Sequence, residues 1–188
     1  MPILPIFKYP DARLRHRTRP VTGVTDELRR LVTDMTETMY ASRGAGLAAI
    51  QVGSDQELFI IEATIAGGTE NDAPLVFINP EVVSSEGTQV GEEGCLSFPG
   101  IFVPVKRAMK CTVRATDLDE REFSVSGEGL FSRALQHELD HCKGKLLIDA
   151  VGPMKRRFIK KQMERYHREA TDKGDEDDEE EAAAGPRL

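Results

Sequence analysis

The stretch Leu135-Gln136-His137-Glu138-Leu139-Asp140-His141 constrains this chain more than any other. On an α-helix, residues four apart point within about 40° of each other, so His137 and His141 project from one face, one turn apart. Two imidazoles held that way can grip one divalent metal, and Glu138 beside the first can act on a water at that metal. Helix is the expected state, because Leu130, Ala134, Leu135 and Leu139 form an apolar stripe at helical spacing and Gly144 follows as a stop signal. An amphipathic helix that merely carries two histidines is the bland alternative, with four His in the whole chain.

A catalytic site of the zinc type takes three protein ligands and keeps one position open. The continuation past His141 has Leu147 where a third histidine would complete the metzincin pattern. Glu164 is a downstream possibility in a strongly basic helical stretch. The better candidate lies upstream in Gly91-Glu92-Glu93-Gly94-Cys95-Leu96-Ser97-Phe98-Pro99-Gly100, where Cys95 sits among glycines and acids on a backbone expected to be irregular. A purely structural metal would need a fourth protein ligand. Cys142 is the obvious one, but it adjoins His141 and projects about 100° away from it.

At 188 residues the chain makes one domain, large enough to need no staples. Hydrophobic content of 39% with 30% charged residues indicates a soluble globular protein. No apolar run approaches the ~20 residues of a membrane span, and the N-terminus lacks the features of a signal peptide. Cys95, Cys111 and Cys142 cannot all pair, which points to reduced thiols and the cytoplasm. A net charge of −7 argues against sequence-specific nucleic-acid binding.

The remaining pattern gives an α+β chain. Leu28, Leu31, Val32, Met35 and Met39 predict an amphipathic helix over 25–40 with Thr25 as N-cap. The small residues of Gly44–Gly53 suit either close approach by another backbone or a helix end followed by a packed turn. Strands are expected at Glu57–Glu62, Leu75–Asn79 with an extension at Glu81–Ser84, Ile101–Val105, Cys111–Thr116 and Glu122–Val125. Pro104 marks Ile101–Val105 as an edge strand, and Cys111 is expected to be buried. Pro153 opens a basic last helix to about Arg168, and residues 171–188 form an acidic tail expected to be disordered.

Three blocks stand in order: Gly44-Ala45-Gly46-Leu47-Ala48-Ala49-Ile50-Gln51, Glu93-Gly94-Cys95-Leu96-Ser97 and Gln136-His137-Glu138-Leu139-Asp140-His141. Together they resemble the peptide deformylases, over residues 1 to about 168 and in the bacterial form with a C-terminal helix. Ala45 stands where that family usually has a larger aliphatic residue, and Cys142 replaces a common Leu.

The resemblance implies a single catalytic domain over 1–170. In it, antiparallel or mixed sheets pack around the central metal-binding helix, flanked by an N-terminal and a C-terminal helix. It implies that Cys95, His137 and His141 hold one divalent metal, ferrous iron in the cell, with zinc, nickel or cobalt also acceptable. Activated water would attack the formyl carbon of an N-formylmethionyl peptide. Glu138 would be general acid and base, and the Gln51 amide and Leu96 N–H would face the oxyanion. On the substrate side stand Gly44, Ala45 and Gly46 along the peptide backbone, and Glu93 and Gly94 beside the metal loop. Leu130, Arg133 and Ala134 would line the methionine pocket, Arg133 with its charge at the rim. Glu93 has local pairing as its alternative, and Asp140 is expected to anchor the helix. The basic last helix has two readings, a solvated face or a surface that docks on the ribosome.

Overall fold

The fold turns on how its second helix divides its faces. The computed structural model describes residues 3–183, with side chains to Asp172. Its three α-helices are α1 (Asp26–Ala41), α2 (Leu130–Cys142) and α3 (Pro153–Ala183). On α2 the residues Phe131, Leu135, Leu139 and Cys142 are buried together in one apolar cluster. Leu130, expected in that stripe, is instead 53% exposed. The core face is set one residue further along, because Phe131 at i−4 from Leu135 meets the sheet and turns Leu130 outward.

The sheet under α2 has five strands in the order β1 (Gly46–Ala48), β2 (Leu58–Ile61), β3 (Leu75–Glu86), β6 (Lys110–Thr116) and β7 (Glu122–Glu128), all antiparallel. β2 is buried on both sides, and its side chains alternate as a pleated strand requires. Phe59 and Ile61 join the α2 cluster, while Leu58 and Ile60 join Leu28, Val32, Met35 and Met39 of α1 on the opposite face. Phe59 stacks on Phe77 of β3 with centroids 4.7 Å apart. Each such fully buried ring contributes roughly 1.5–3 kcal/mol by leaving water. Cys111 is buried in β6. The expected extension past Pro80 is present as one long β3, whose register shifts beside Asn79 at φ 51°.

A second, two-stranded sheet pairs β4 (Gln89–Cys95) with β5 (Phe98–Arg107). Pro104 lies opposite Glu92 in this hairpin, consistent with an edge position. Sequence suggested an irregular backbone through Gly91–Gly100. The structure corrects this, because Gly91–Gly94 is a regular strand and the register shift falls between Gly94 and Cys95. Pairing with β5, whose Val103 and Val105 are buried, overrides the poor strand preference of Gly and Glu.

The helix ends follow local chemistry. The Thr25 hydroxyl accepts from the Leu28 N–H at 3.2 Å, so Thr25 is the N-cap of α1. α1 ends with Arg43 at φ 54° and with the Gly44 N–H donating to the Met39 carbonyl, a Schellman-type close. Gly144 follows α2 at φ 69°, and a Cβ there would lie 2.3 Å from the Arg15 carbonyl oxygen, so only glycine fits. Thr18 donates through both its N–H and its hydroxyl to the Cys142 carbonyl, tying down the end of the helix that carries His141.

α3 rests on β5 and the Leu146–Val151 turn through Ile159 and Met163, and its basic face stays exposed. It continues past the expected end near Arg168 to Ala183. The reason is local, since Glu and Ala favour helix and no proline interrupts the chain before Pro186. Residues 184–188 of the acidic tail lie outside the described residues. Among the described residues no helix is long and apolar enough to cross a membrane.

Candidate metal centre

α2 presents His137 and His141 toward the end of β4, and the register shift there brings Cys95 onto the same point. The ligand atoms of Cys95, His137 and His141 all lie within 4.8 Å of one another, the one such group among the described residues. Cys95 Sγ is 3.3 Å from His141 Nε2. A tetrahedral ion with ordinary bond lengths would separate such atoms by about 3.5 Å. The donor set of one thiolate and two imidazoles suits a divalent transition metal.

The tautomer of His137 is set from behind. Its Nδ1–H donates to Glu93 Oε2 at 3.1 Å, leaving Nε2 to face the centre. Arg107 holds Glu93 in turn through two parallel bonds of 3.0 Å, and its other arm reaches Asp140 Oδ2 at 2.5 Å. Asp140 thus anchors α2 to β5, and the Glu93 carboxylate is engaged locally while the residue also lines the cavity.

Burial would raise the Glu93 carboxyl, but bonds from His137 and Arg107 outweigh it and hold the pKa below the usual range. Burial would likewise push the Cys95 thiol up, yet the facing His141 and His137 hold it well below the ordinary thiol value. Burial would lower His137, but the Cys95 thiolate and Glu93 keep it well above its usual value. A thiolate beside a proton-holding imidazole is the pair that a divalent cation takes over, displacing the proton. The residues present therefore fit a metal.

Glu138 is buried, its Oε2 has no hydrogen-bond partner among the described residues, and burial raises its carboxyl pKa. A carboxylate so buried and so raised has its proton affinity increased toward the cavity it faces. Gly46 makes its position possible, since a Cβ there would stand 2.6 Å from Glu138 Oε1. The helix end expected at the Gly44 stretch is present, and what approaches its glycines closely is not another backbone but the side chains of Leu96 and Glu138.

Gln51 reaches the centre from a 3-10 turn, Ala49–Val52. Its Oε1 accepts from the Ala48 N–H at 2.9 Å, so Nε2 must point inward, 3.6 Å from Cys95 Sγ and 3.1 Å from Ser97 Oγ.

One cavity of about 560 Å³ gathers these groups. It is lined by Gly44, Ala45, Gly46, Gln51, Glu93, Gly94, Cys95, Leu96, Leu130, Arg133, Ala134, His137 and Glu138, while His141 stands behind the wall. The guanidinium of Arg133 lies over Gly91, where a Cβ would come 1.6 Å from Nη1, and it donates to the Glu92 carbonyl at 3.2 Å. The two alternative ligands are absent from the group. Glu164 is exposed on α3, and Cys142 is buried in the core with its thiol pushed up to about 12 by burial. Sequence reasoning missed Arg107, Ser97 and Lys8. A buried arginine at a strand end carries no local signature, and Lys8 is separated from Leu96 by 88 positions.

Comparison with known proteins agrees with this geometry. The sequence model of the polypeptide deformylases matches residues 3–157. A peptide deformylase of Alkalilimnicola ehrlichii is 44% identical over 169 residues, 90% of this chain and 93% of that one. The crystal structure of a peptide deformylase from Legionella pneumophila superposes with a TM-score of 0.84 at 42% identity, covering 90% and 98% of the two chains. That of the Ehrlichia chaffeensis peptide deformylase in complex with actinonin gives 0.82 at 34% identity, covering 89% and 99%.

Proposed function

This chain belongs to the peptide deformylase family, metal-dependent hydrolases that remove the N-formyl group from nascent peptides, and on that premise we propose how its residues divide the work. Cys95, His137 and His141 hold the ion. When bound, the metal supplies Lewis acidity that makes a water nucleophilic near neutral pH. Glu138 takes the proton of the attacking water and hands it to the amine nitrogen as the C–N bond breaks, so that formate and a free N-terminus leave. Gln51 Nε2 and the Leu96 N–H donate to the oxygen that gains negative charge, each worth about 3 kcal/mol when aimed at the transition state.

The peptide enters extended. Among the described residues β1 pairs with β2 alone and β4 with β5 alone, so each has an open edge, and residues of both strands line the same cavity. Main-chain pairing along Gly44–Gly46 and Gly94 gives affinity independent of sequence. The methionine side chain lies against Leu130, Ala134 and the stem of Arg133. Catalysis belongs to residues 1–170, with 171–188 as a tail outside that domain.

What supports these roles is one observation: an unpaired buried carboxylate, an inward-facing amide and a Cys-His-His set share one cavity beneath two open strand edges. The test is formate release from formyl-Met peptides beside their unformylated counterparts. Internal cleavage without formate would refute the reading.

Ferrous iron is the proposed physiological ion, because a soft thiolate with two imidazoles accepts it and family membership favours it. Enzyme prepared without air should then be faster than zinc-loaded enzyme and decay on aeration as Cys95 oxidises. The exposed basic face of α3, with Lys155, Arg157, Lys161 and Arg165, is proposed to dock on the ribosome, which places the enzyme in the cytoplasm. Salt-sensitive co-sedimentation with ribosomes tests this.

A further inference from the structure

Residues 7–9 lie across both loops that carry the proposed oxyanion donors, yet no step of the reaction uses them. The Phe7 N–H donates to the Gln51 carbonyl at 2.8 Å, and the Tyr9 N–H to the Ser97 carbonyl at 3.0 Å. Between them the Lys8 ammonium donates to the Leu96 carbonyl at 2.7 Å. Ser97, held by Tyr9, is in turn the residue whose hydroxyl accepts from Gln51 Nε2.

This strap is itself anchored. The Phe7 ring fills the space beside Gly53, and the Arg13 guanidinium lies 3.3 Å over it. Tyr9 stacks on Phe98 at 5.1 Å, and His167 of α3 donates to the Tyr9 carbonyl at 2.6 Å. Lys8 therefore extends from a fixed backbone, half-buried, at the wall of the cavity.

Leu96 needs such a tie. With Ser97 it forms the turn that closes the β4–β5 hairpin beyond the Cys95–Phe98 pair, so no ladder partner holds it. Its side chain presses against Gly44, where a Cβ would lie 2.7 Å from Cδ1, which fixes one side of the residue. The Lys8 bond fixes the other. A charged donor makes that bond roughly twice as strong as a neutral one.

We propose that Lys8 is a positioning residue for the oxyanion donors, holding the Leu96–Ser97 peptide so that the Leu96 N–H and the Gln51 amide face one point. The inference rests on the deformylase reading. A donor aimed at charge that develops only in the transition state acts on kcat and leaves ground-state binding alone.

The experiment compares Lys8→Met and Lys8→Arg with the parent enzyme in formate release, metal content and melting temperature. Lys8→Met should lower kcat about tenfold with KM changed less than about twofold, at unchanged metal content and melting temperature. Lys8→Arg, which can still donate to the carbonyl, should recover kcat to within about threefold of the parent. A Lys8→Met enzyme with parental kcat overturns the proposal. So does a rise in KM at constant kcat, which would make Lys8 a substrate contact. Loss of metal or of thermal stability in step with kcat also overturns it, since the tie would then be merely structural. A parent enzyme that releases no formate would refute the activity instead.

Discussion

Replacing Gly46 by alanine tests the site at its tightest point. The added Cβ would meet Glu138 Oε1 at 2.6 Å, Cδ at 3.0 Å and Cγ at 3.1 Å, whereas ordinary contact begins near 3.4 Å. Strand or carboxylate must therefore retreat by about 0.8 Å. The strand is held by its ladder, Gly46 opposite Ile61, and by the buried Leu47 and Ala48 that follow. Glu138 can swing more freely, since its Oε2 has no protein partner. Displacing a reacting group by about 1 Å typically costs on the order of 10²-fold in rate. Overpacking of this kind costs about 1–3 kcal/mol of stability. Gly46→Ala should thus lose about 30- to 100-fold in kcat while the metal stays bound, because no ligand has moved. Gly152→Ala serves as control, since nothing lies within 4 Å of its new Cβ, and its effect should stay within about 0.5 kcal/mol. Steady-state formate release, metal analysis and urea unfolding supply the readouts. Parental turnover by Gly46→Ala would show that Glu138 is not held against this strand in the working enzyme.

Three further expectations follow from the same geometry. Glu138→Ala should keep its metal and lose more than about 10²-fold in turnover, whereas Cys95→Ala should lose metal and activity together; a metal-free Glu138→Ala protein would contradict the roles assigned. Arg107, whose side chain is 9% exposed, leaves the buried Glu93 with His137 as its remaining partner when changed to alanine, so Arg107→Ala should lose about 3 kcal/mol in urea unfolding, and Arg107→Lys should recover only part because an ammonium cannot make the paired bonds to Glu93. Iodoacetamide at pH 8 should leave the metal-loaded protein unmodified and label Cys95 once a chelator removes the ion, because its thiol is held well below the ordinary value; Cys142, at about 12, and the buried Cys111 should react only after unfolding, and mass spectrometry of the labelled sites would expose any other order.

The sequence determined those features whose physics is local. His137 and His141 lie four residues apart on one helix, so their common face, with Glu138 beside the first, follows from helical pitch alone. The α1 stripe with its Thr25 cap, the strands at Glu57–Glu62, Leu75–Ser84, Ile101–Val105, Cys111–Thr116 and Glu122–Val125, and the stop at Gly144 follow from periodicity and backbone preference in the same way. Cys95 stood out as a candidate ligand among glycines and acids, but its part in the site, like that of Gln51 and Leu96, entered through resemblance to a family, because no local rule ties these residues to a helix some 40 to 90 positions away.

Tertiary structure decided what depends on non-local contact. β4 is a strand only because β5 pairs with it, against the preference of its own glycines and acids. Leu130 faces the cavity because Phe131 claims the core. Gly46 matters because Glu138 arrives beside it, and Glu93 is engaged with His137 because Arg107 comes across from β5. Lys8 meets the Leu96 carbonyl only where the chain's beginning is folded over both motif loops. Such contacts join residues far apart in sequence and depend on distances of a few ångströms, which composition, periodicity and spacing do not encode.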